Sequence, residues 1–266
     1  MKKVGIVGLG NMGEAIARAL VAAGTDRKEI IGYDVKPERM KAVVEGLKIA
    51  HAKDPADVAA RSDYIILAVK PQDAKAAIAG LAAGLDESRI LISIMAGTTT
   101  SSIASMLDRP AKIVRVMPNI AVAVCEGALG IAANYMLSHD ELDGVARLLA
   151  PLGRVVEVPE EQMDAVTALG ASGPAFFLAF LEAMVDGGVR MGLPRDKAHL
   201  LALQAVKGTV ALLEKERMHP ALMRERVTSP GGTTAAGLLV LDEKGFRGTV
   251  VRALEAAQAR AKELSR

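Results

Sequence analysis

The sequence is poor in the residues that build metal centres, disulfides and stacking platforms. Its 266 residues include one cysteine, Cys125, so no intramolecular disulfide and no cysteine-rich metal site can form. That lone thiol is expected to be buried as a small apolar residue. Tryptophan is absent and aromatics make up 3 %, which argues against platforms for single-stranded nucleic acid or sugars. The four histidines, His51, His139, His199 and His219, are scattered, with neither HExxH nor paired-ligand spacing, so no metal is expected. Charge of one sign is also missing: 33 basic residues face 31 acidic ones, net +2, which implies neither nucleic acid nor anionic membrane as a partner. No stretch approaches about 20 uninterrupted apolar residues, so no membrane span is expected. The early apolar run at 4–9 is broken by glycines and followed by Glu14, unlike a signal peptide. The expected location is a reducing cytoplasm.

What remains is an ordinary globular composition, 51 % hydrophobic and 24 % charged. At about 150 residues per domain the length suits one large or two modest domains. Short apolar runs at 4–7, 29–33, 64–69, 90–94 and 112–116 read as buried strands. Helical patterns at 11–23, 71–83 and 100–107 separate several of them, and strands alternating with helices mean βαβ units and a parallel sheet. Two shorter strands near 129–132 and 155–158 flank a helix at 139–150 and close this domain. From about 161 onward no convincing strand remains. Segments 174–190, 194–216, 232–243 and 246–264 have helical period, and Pro174 and Pro194 sit where a first-turn proline belongs.

The string Gly8-Leu9-Gly10-Asn11-Met12-Gly13 fits G-x-G-x-x-G directly after a strand and at the start of a helix, the context a dinucleotide fingerprint requires. Gly8 suits the tight turn, Gly10 lets backbone approach a pyrophosphate, and Gly13 permits close helix–strand packing. Asp34 ends the second strand 24 residues after Gly10, about where an acid reads a ribose 2′-OH. Its charge favours NADH over NADPH, while Lys36 and Arg39 just beyond it are placed to receive a 2′-phosphate. Three further loops follow strand C-termini, where ligands of open α/β sheets bind. They are Ala68-Val69-Lys70-Pro71, Met95-Ala96-Gly97-Thr98 and Met117-Pro118-Asn119. Lys70 is either a donor to ribose or substrate or a solvated lysine, and Asn119 is either a ligand contact or a turn residue.

In the helical half, Thr228-Ser229-Pro230-Gly231-Gly232-Thr233-Thr234 opens an apolar helix. Such a turn exposes several backbone N–H groups beside hydroxyls, an arrangement suited to a carboxylate, although an ordinary capped helix–helix turn has the same appearance. Ala171-Ser172-Gly173-Pro174-Ala175 starts another long helix with Phe176, Phe177 and Phe180 on one face, read as core and interface packing. No Ser/His/Asp or Cys/His arrangement stands out.

Over essentially its whole length the chain resembles the pyrroline-5-carboxylate reductases. The likeness rests on Gly8 to Gly13, Ala68 to Pro71, Met117 to Asn119, Ser172 to Ala175, Asp186-Gly187-Gly188, Met191-Gly192-Leu193-Pro194 and, above all, the specific string Thr228 to Thr234. The resemblance implies a Rossmann-like α/β parallel-sheet domain at 1–160, then an all-α substrate-binding and dimerisation domain at 161–266. The active site would lie between the cofactor domain of one chain and the helical domain of its partner, in a homodimer or a ring of dimers such as a decamer. The reaction implied is reduction of 1-pyrroline-5-carboxylate to L-proline by NADPH or NADH. Carried over, Val7, Gly8, Leu9, Gly10, Asn11 and Met12 would hold the pyrophosphate, with Gly13 closing the fingerprint. Ala68 to Pro71, Met95, Ala96, Gly97 and Asn119 would meet the ribose and nicotinamide. The substrate carboxylate would fall to Ser229, Gly231, Gly232 and Thr233, and Thr234 would place its hydroxyl near the ring nitrogen as the catalytic contact. Many relatives carry a small polar residue where this chain has Asp34. Two alternatives stand beside this: another two-domain dehydrogenase, which would usually carry a catalytic lysine or aspartate on a helix of the second domain, and a nucleotide sensor without turnover.

Overall fold

The computed structural model describes residues 2–265. Met1 and Arg266, the outer ends of the two expected domains, lie outside the described residues. The strands are β1 (Val4–Val7), β2 (Ile30–Tyr33), β3 (Ala50–His51), β4 (Tyr64–Leu67), β5 (Ile90–Ser93), β6 (Lys112–Met117), β7 (Gly127–Ala133) and β8 (Gly153–Glu157). They form one sheet in the order β3-β2-β1-β4-β5-β6-β7-β8. Pairing is parallel from β3 through β6, antiparallel between β6 and β7, and parallel again between β7 and β8. The antiparallel step departs from an all-parallel reading. It arises because β6 reaches β7 through a short 3-10 turn at Ile120–Val124 rather than a crossover helix.

The helices of this part are α1 (Asn11–Ala22), α2 (Pro37–Leu47), α3 (Pro55–Arg61), α4 (Ala74–Leu81), α5 (Thr100–Leu107), α6 (His139–Leu149) and α7 (Met163–Val166). The continuous apolar strands are explained by cover on both faces. Tyr64 and Ile66 join one core with Ile16 and Leu20 of α1 and Val145 of α6. Ile65 and Leu67 point the other way, into a second core with Val58 of α3, Ile78 of α4 and Ile103 of α5. The stretch 35–62, for which the sequence pattern predicts no element, contains α2, β3 and α3. There Pro37 and Pro55 begin the helices, and Asp54 caps α3 by accepting the N–H of Asp57 at 2.7 Å.

The remaining helices are α8 (Gly173–Arg190), α9 (Arg195–Glu216), α10 (Pro220–Arg226), α11 (Thr233–Glu243) and α12 (Phe246–Leu264). Between α7 and α8 lies a π-helical segment, Thr167–Ser172. Two units separate by their internal contacts: one runs to Ala171 and takes back the residues from Ala257, and the other spans Ser172–Ala256. The residues from the expected boundary at 160/161 to Ala171 make their contacts with the first unit, where α7 packs on β6 and β7 through the cluster of Met117, Ala132 and Met163.

In the second unit the buried cluster is small: Leu181, Val185, Ala198 and Ala202. Phe176, Phe177 and Phe180 keep 37–42 % of their surface exposed, so in the single chain they lie outside the core. Phe180 meets Phe246 with ring centroids 5.9 Å apart. Among the described residues one helical run, Glu160–Arg190, is long and apolar enough to cross a membrane by length and composition, with a mean hydropathy of 1.6. Cys125 is exposed, contrary to expectation. It closes the 3-10 turn after β6 in the left-handed region, φ +60°, with its N–H donated to the Val122 carbonyl at 3.0 Å, a position that turns the thiol outward.

Candidate functional site

The chain order around β1 reverses between β2 and β4, and the crevice above such a switch point is where open α/β sheets bind ligands. A cleft of about 570 Å³ opens there, lined by Val7, Gly8, Gly10, Asp34, Lys36, Arg39 and Ala68 to Lys70 among others. Gly8 turns the chain at φ +94°, and a Cβ there would lie 2.6 Å from the Ala68 carbonyl oxygen. A Cβ on Gly13 would lie 2.0 Å from the carbonyl oxygen of Gly8. Both glycines therefore serve the fold.

Gly10 is different. A Cβ there meets only the far end of Arg39, at 3.4 Å. Nothing in the chain's own packing requires glycine at that point, whereas a ligand lying on the backbone would. Gly10 is also the N-cap of α1 and supplies no side-chain cap, so the first N–H groups of that helix are left to a ligand. These residues fit the pyrophosphate of a dinucleotide.

Asp34 accepts the Leu9 N–H at 2.8 Å on one carboxylate oxygen and the Lys36 N–H at 2.9 Å on the other. It thus ties the glycine loop to the end of β2. Each oxygen keeps a lone pair with which to accept from a ribose hydroxyl. Lys36 and Arg39 line the same cleft, so the site holds two cations beside one fixed anion.

The other expected contacts divide. Leu9 has its side chain fully in the core and offers only backbone. Asn11 is exposed, Met12 half-buried and Gly13 buried. Lys70 and Pro71 stand exposed after β4, and Pro71 opens a 3-10 turn. Met95 is 1 % exposed and its side chain joins the second core, leaving Ala96 and Gly97 as the accessible part of the β5–α5 loop.

Asn119 is engaged by the chain itself. Its Oδ1 accepts the N–H groups of Ala121 at 3.2 Å and Ala128 at 3.3 Å. Its amide donates to the Gly170 carbonyl at 3.0 Å. That carbonyl lies four residues before Pro174, which has no N–H to return to it. Asn119 therefore supplies the donor that proline withholds, at the π-helical segment. No sequence pattern flagged that segment, and the signal that could have found it is the glycine-rich approach to Pro174. The cleft also includes Tyr33 and Gln72, which the motifs did not single out.

In the second unit, Gly231 adopts φ +69° and Gly232 is the N-cap of α11 with no side-chain cap. The Gly232 N–H is donated to the Ser229 carbonyl at 3.1 Å. A Cβ on Gly232 would lie 2.3 Å from Ser229 Oγ, so a side chain there would displace that hydroxyl. The first-turn N–H groups of α11, from Thr233 onward, have no intrahelical acceptor. Thr233 is exposed and Thr234 half-buried in that same turn. The arrangement offers an anion backbone donors and adjacent hydroxyls, with no basic side chain. No group of three or more potential metal ligands occurs among the described residues.

Comparison with known proteins finds relatives of both parts of the chain. A family model described as pyrroline-5-carboxylate reductase dimerisation matches residues 160–264. One described as NADP oxidoreductase, coenzyme F420-dependent, matches residues 3–97. A pyrroline-5-carboxylate reductase of Synechocystis sp. is 41 % identical over 265 residues, 99 % of this chain and 98 % of that protein. Among solved structures, a pyrroline-5-carboxylate reductase of Coxiella burnetii superposes with a TM-score of 0.95 at 32 % identity, covering 100 % of this chain and 99 % of the other. The Plasmodium falciparum pyrroline carboxylate reductase with NADP bound reaches 0.88 at 31 % identity, covering 100 % and 98 %. With a cleft over the glycine loop in one unit, a turn that leaves backbone N–H groups free in the other and likeness of this extent along both, the chain belongs to the pyrroline-5-carboxylate reductase family of NAD(P)-dependent oxidoreductases.

Proposed function

We propose that the cleft over Gly10 holds NAD(P)H and that the start of α11 holds the carboxylate of 1-pyrroline-5-carboxylate, which is reduced to L-proline. The open space over Gly10 carries the reading, since it lies in the cleft at the uncapped start of α1, where a ligand on the backbone accounts for glycine. When bound, the reduced nicotinamide supplies hydride to the imine carbon, while the ring nitrogen gains a proton. Backbone from Val7 to Met12 cradles the pyrophosphate, with Gly13 bringing α1 close. Asp34 accepts from the adenosine ribose. Ala68 to Pro71, with the accessible part of the Met95 to Gly97 loop, face the nicotinamide half, and Asn119 contributes by holding the backbone around it. Ser229, Gly231, Gly232 and Thr233 form the carboxylate seat, so that binding becomes alignment of the ring. The Thr234 hydroxyl bonds the imine nitrogen and polarises the C=N bond. This role needs no strong acid or base.

The residues beside Asp34 set cofactor use. Its carboxylate opposes a 2′-phosphate and Lys36 with Arg39 attract one, so both NADH and NADPH serve. Asp34→Ser should raise kcat/KM for NADPH relative to NADH, and an unchanged ratio would remove Asp34 from that role. The assembly is a homodimer or a ring of dimers, with a decamer as the larger form. Its support is the exposed apolar surface of the second unit, which also accounts for the hydropathy of Glu160–Arg190 by burial against a second copy. The location proposed is cytoplasmic, with neither membrane nor nucleic acid as a partner. The deciding experiment follows NAD(P)H oxidation with 1-pyrroline-5-carboxylate and identifies L-proline as product. Absence of turnover with either nucleotide would overturn the assignment.

A further inference from the structure

Arg115, on β6, is 2 % exposed, and burying a guanidinium is costly unless it is well paired. Its two acids stand just beyond hydrogen-bond reach, Glu160 Oε1 at 3.8 Å and Asp164 Oδ1 at 3.7 Å. Arg115 Nε and Nη2 have no hydrogen-bond partner. The carboxylates are engaged elsewhere. Glu160 accepts the Thr100 N–H at 2.7 Å and the Thr100 hydroxyl at 2.6 Å. The Ser265 hydroxyl shares its one proton between Asp164 Oδ1 at 3.2 Å and the Ala261 carbonyl at 3.0 Å. One buried cation therefore holds two anions, and each anion secures a different segment: Glu160 the first turn of α5, Asp164 the residue just beyond α12.

Both segments border the β5–α5 loop. Thr100 ends it. The end of α12 lies against its middle: Gly97 sits at φ +70°, and a Cβ there would be 2.6 Å from the Leu264 carbonyl oxygen. At its start, Ser93 is the register partner of Arg115, and its hydroxyl accepts the Met95 N–H at 3.3 Å. A loop that must hold a planar ring in place needs its backbone fixed from outside itself. These contacts fix it at start, middle and end.

We infer that Arg115, Glu160, Asp164 and Ser265 are positioning residues that set the β5–α5 loop against the nicotinamide half of NAD(P)H. The inference rests on the assignment of Ala96 and Gly97 to that half. The test compares the affinity of Glu160→Gln, Ser265→Ala and Ala96→Val enzymes for NADPH and for adenosine 2′,5′-bisphosphate, which probes the adenosine half alone. Both ligands are titrated by calorimetry, with hydrogen exchange of the Thr100 amide followed in parallel. Glu160→Gln should weaken NADPH binding about five- to twentyfold, and Ser265→Ala about two- to fivefold, with the bisphosphate moving less than twofold. Thr100 exchange should quicken in Glu160→Gln. A merely structural role would lower the melting temperature and leave the ratio of the two affinities unchanged, which overturns the inference. If Glu160→Gln fails to fold, the affinity ratio of Ser265→Ala decides. If Ala96→Val weakens NADPH while Glu160→Gln and Ser265→Ala do not, the loop assignment stands and the positioning role falls. If Ala96→Val leaves NADPH binding intact, both fall.

Discussion

The two units use apolar residues in opposite ways. In the first, the large aliphatic side chains of β1, β4 and β5 are almost wholly buried, with Ile6, Ile65, Ile66 and Ile92 at 0 % exposure. In the second, α11 buries no residue at all, and Leu200, Leu201 and Leu239 stand about 60 % exposed. One unit completes its core within the chain, and the other leaves apolar faces uncovered in the single chain, which the proposed second copy would bury. The first unit is thus the frame on which a cofactor is held, and the second is the part that the proposed association would complete.

The sharpest way to break this contrast is to charge the second unit. Leu239→Glu should leave the first unit folded while the assembly falls to protomer-sized particles in light scattering. Each buried leucine contributes about 1.5–3 kcal/mol, and symmetry doubles the loss, so dimer affinity should fall roughly 100- to 10,000-fold. An unchanged dimer would mean that α11 faces solvent in the assembly.

Next in size is Thr234. A hydrogen bond to a group that carries charge contributes about 1.5–3 kcal/mol, so Thr234→Ala should lower kcat/KM by roughly 10- to 100-fold. Affinity for NAD(P)H should barely change, and Thr234→Ser should keep much of the activity. If instead the residue only caps or packs its helix, both variants lose melting temperature and neither loses kcat/KM.

The glycine pair sharpens the comparison inside the first unit. Gly13→Ala forces a Cβ onto backbone and should cost about 1–3 kcal/mol or more, lowering yield and melting temperature. Gly10→Ala should melt like the parent yet bind NAD(P)H about tenfold more weakly, since a lost backbone contact to phosphate is worth about 1.5 kcal/mol. Equal melting temperatures for the two variants would refute the division between a fold glycine and a ligand glycine.

The smallest effect concerns Glu141, which closes a capping box with Ser138 and holds Lys112 at 2.6 Å, with 27 % of its side chain exposed. The Lys112 hydrogen bond, then the Ser138 N–H, hold its carboxyl below the ordinary value of 4.5. Its stabilisation is therefore present above that ordinary value and lost as pH falls through the lowered folded one. Glu141→Gln should lower the melting temperature by about 2 °C at neutral pH, after allowance for solvent screening. The two proteins should converge in strongly acid solution, and a constant gap at every pH would show that charge is not the cause.

The strands of the sheet were legible because burial on both faces leaves a continuous apolar run, as in Tyr64–Leu67. The fingerprint was legible for a related reason: backbone collisions at Gly8 and Gly13 admit only glycine, so local geometry is written in residue identity. The stretch 35–62 was not, since β3 is two residues long and α2 has mixed polarity. Asn119 reads equally well as a ligand contact or a turn residue until the structure brings Gly170 to it, 51 residues away. Cys125 reads as apolar, and only its left-handed backbone turns it outward.

By itself, then, the sequence determined what depends on near neighbours: helical and strand periodicity, the glycine loop and the turn that starts α11. Tertiary structure alone decided what depends on distant partners. It paired β6 antiparallel with β7, set Asp34 on the Leu9 N–H, and gathered Thr100, Glu160, Asp164 and Ser265 around the buried Arg115 in one partly buried cluster. A charged residue in a sequence looks like a solvated one. Only the folded chain shows which charges have left water, because that loss is a property of the atoms packed around them and not of the residue.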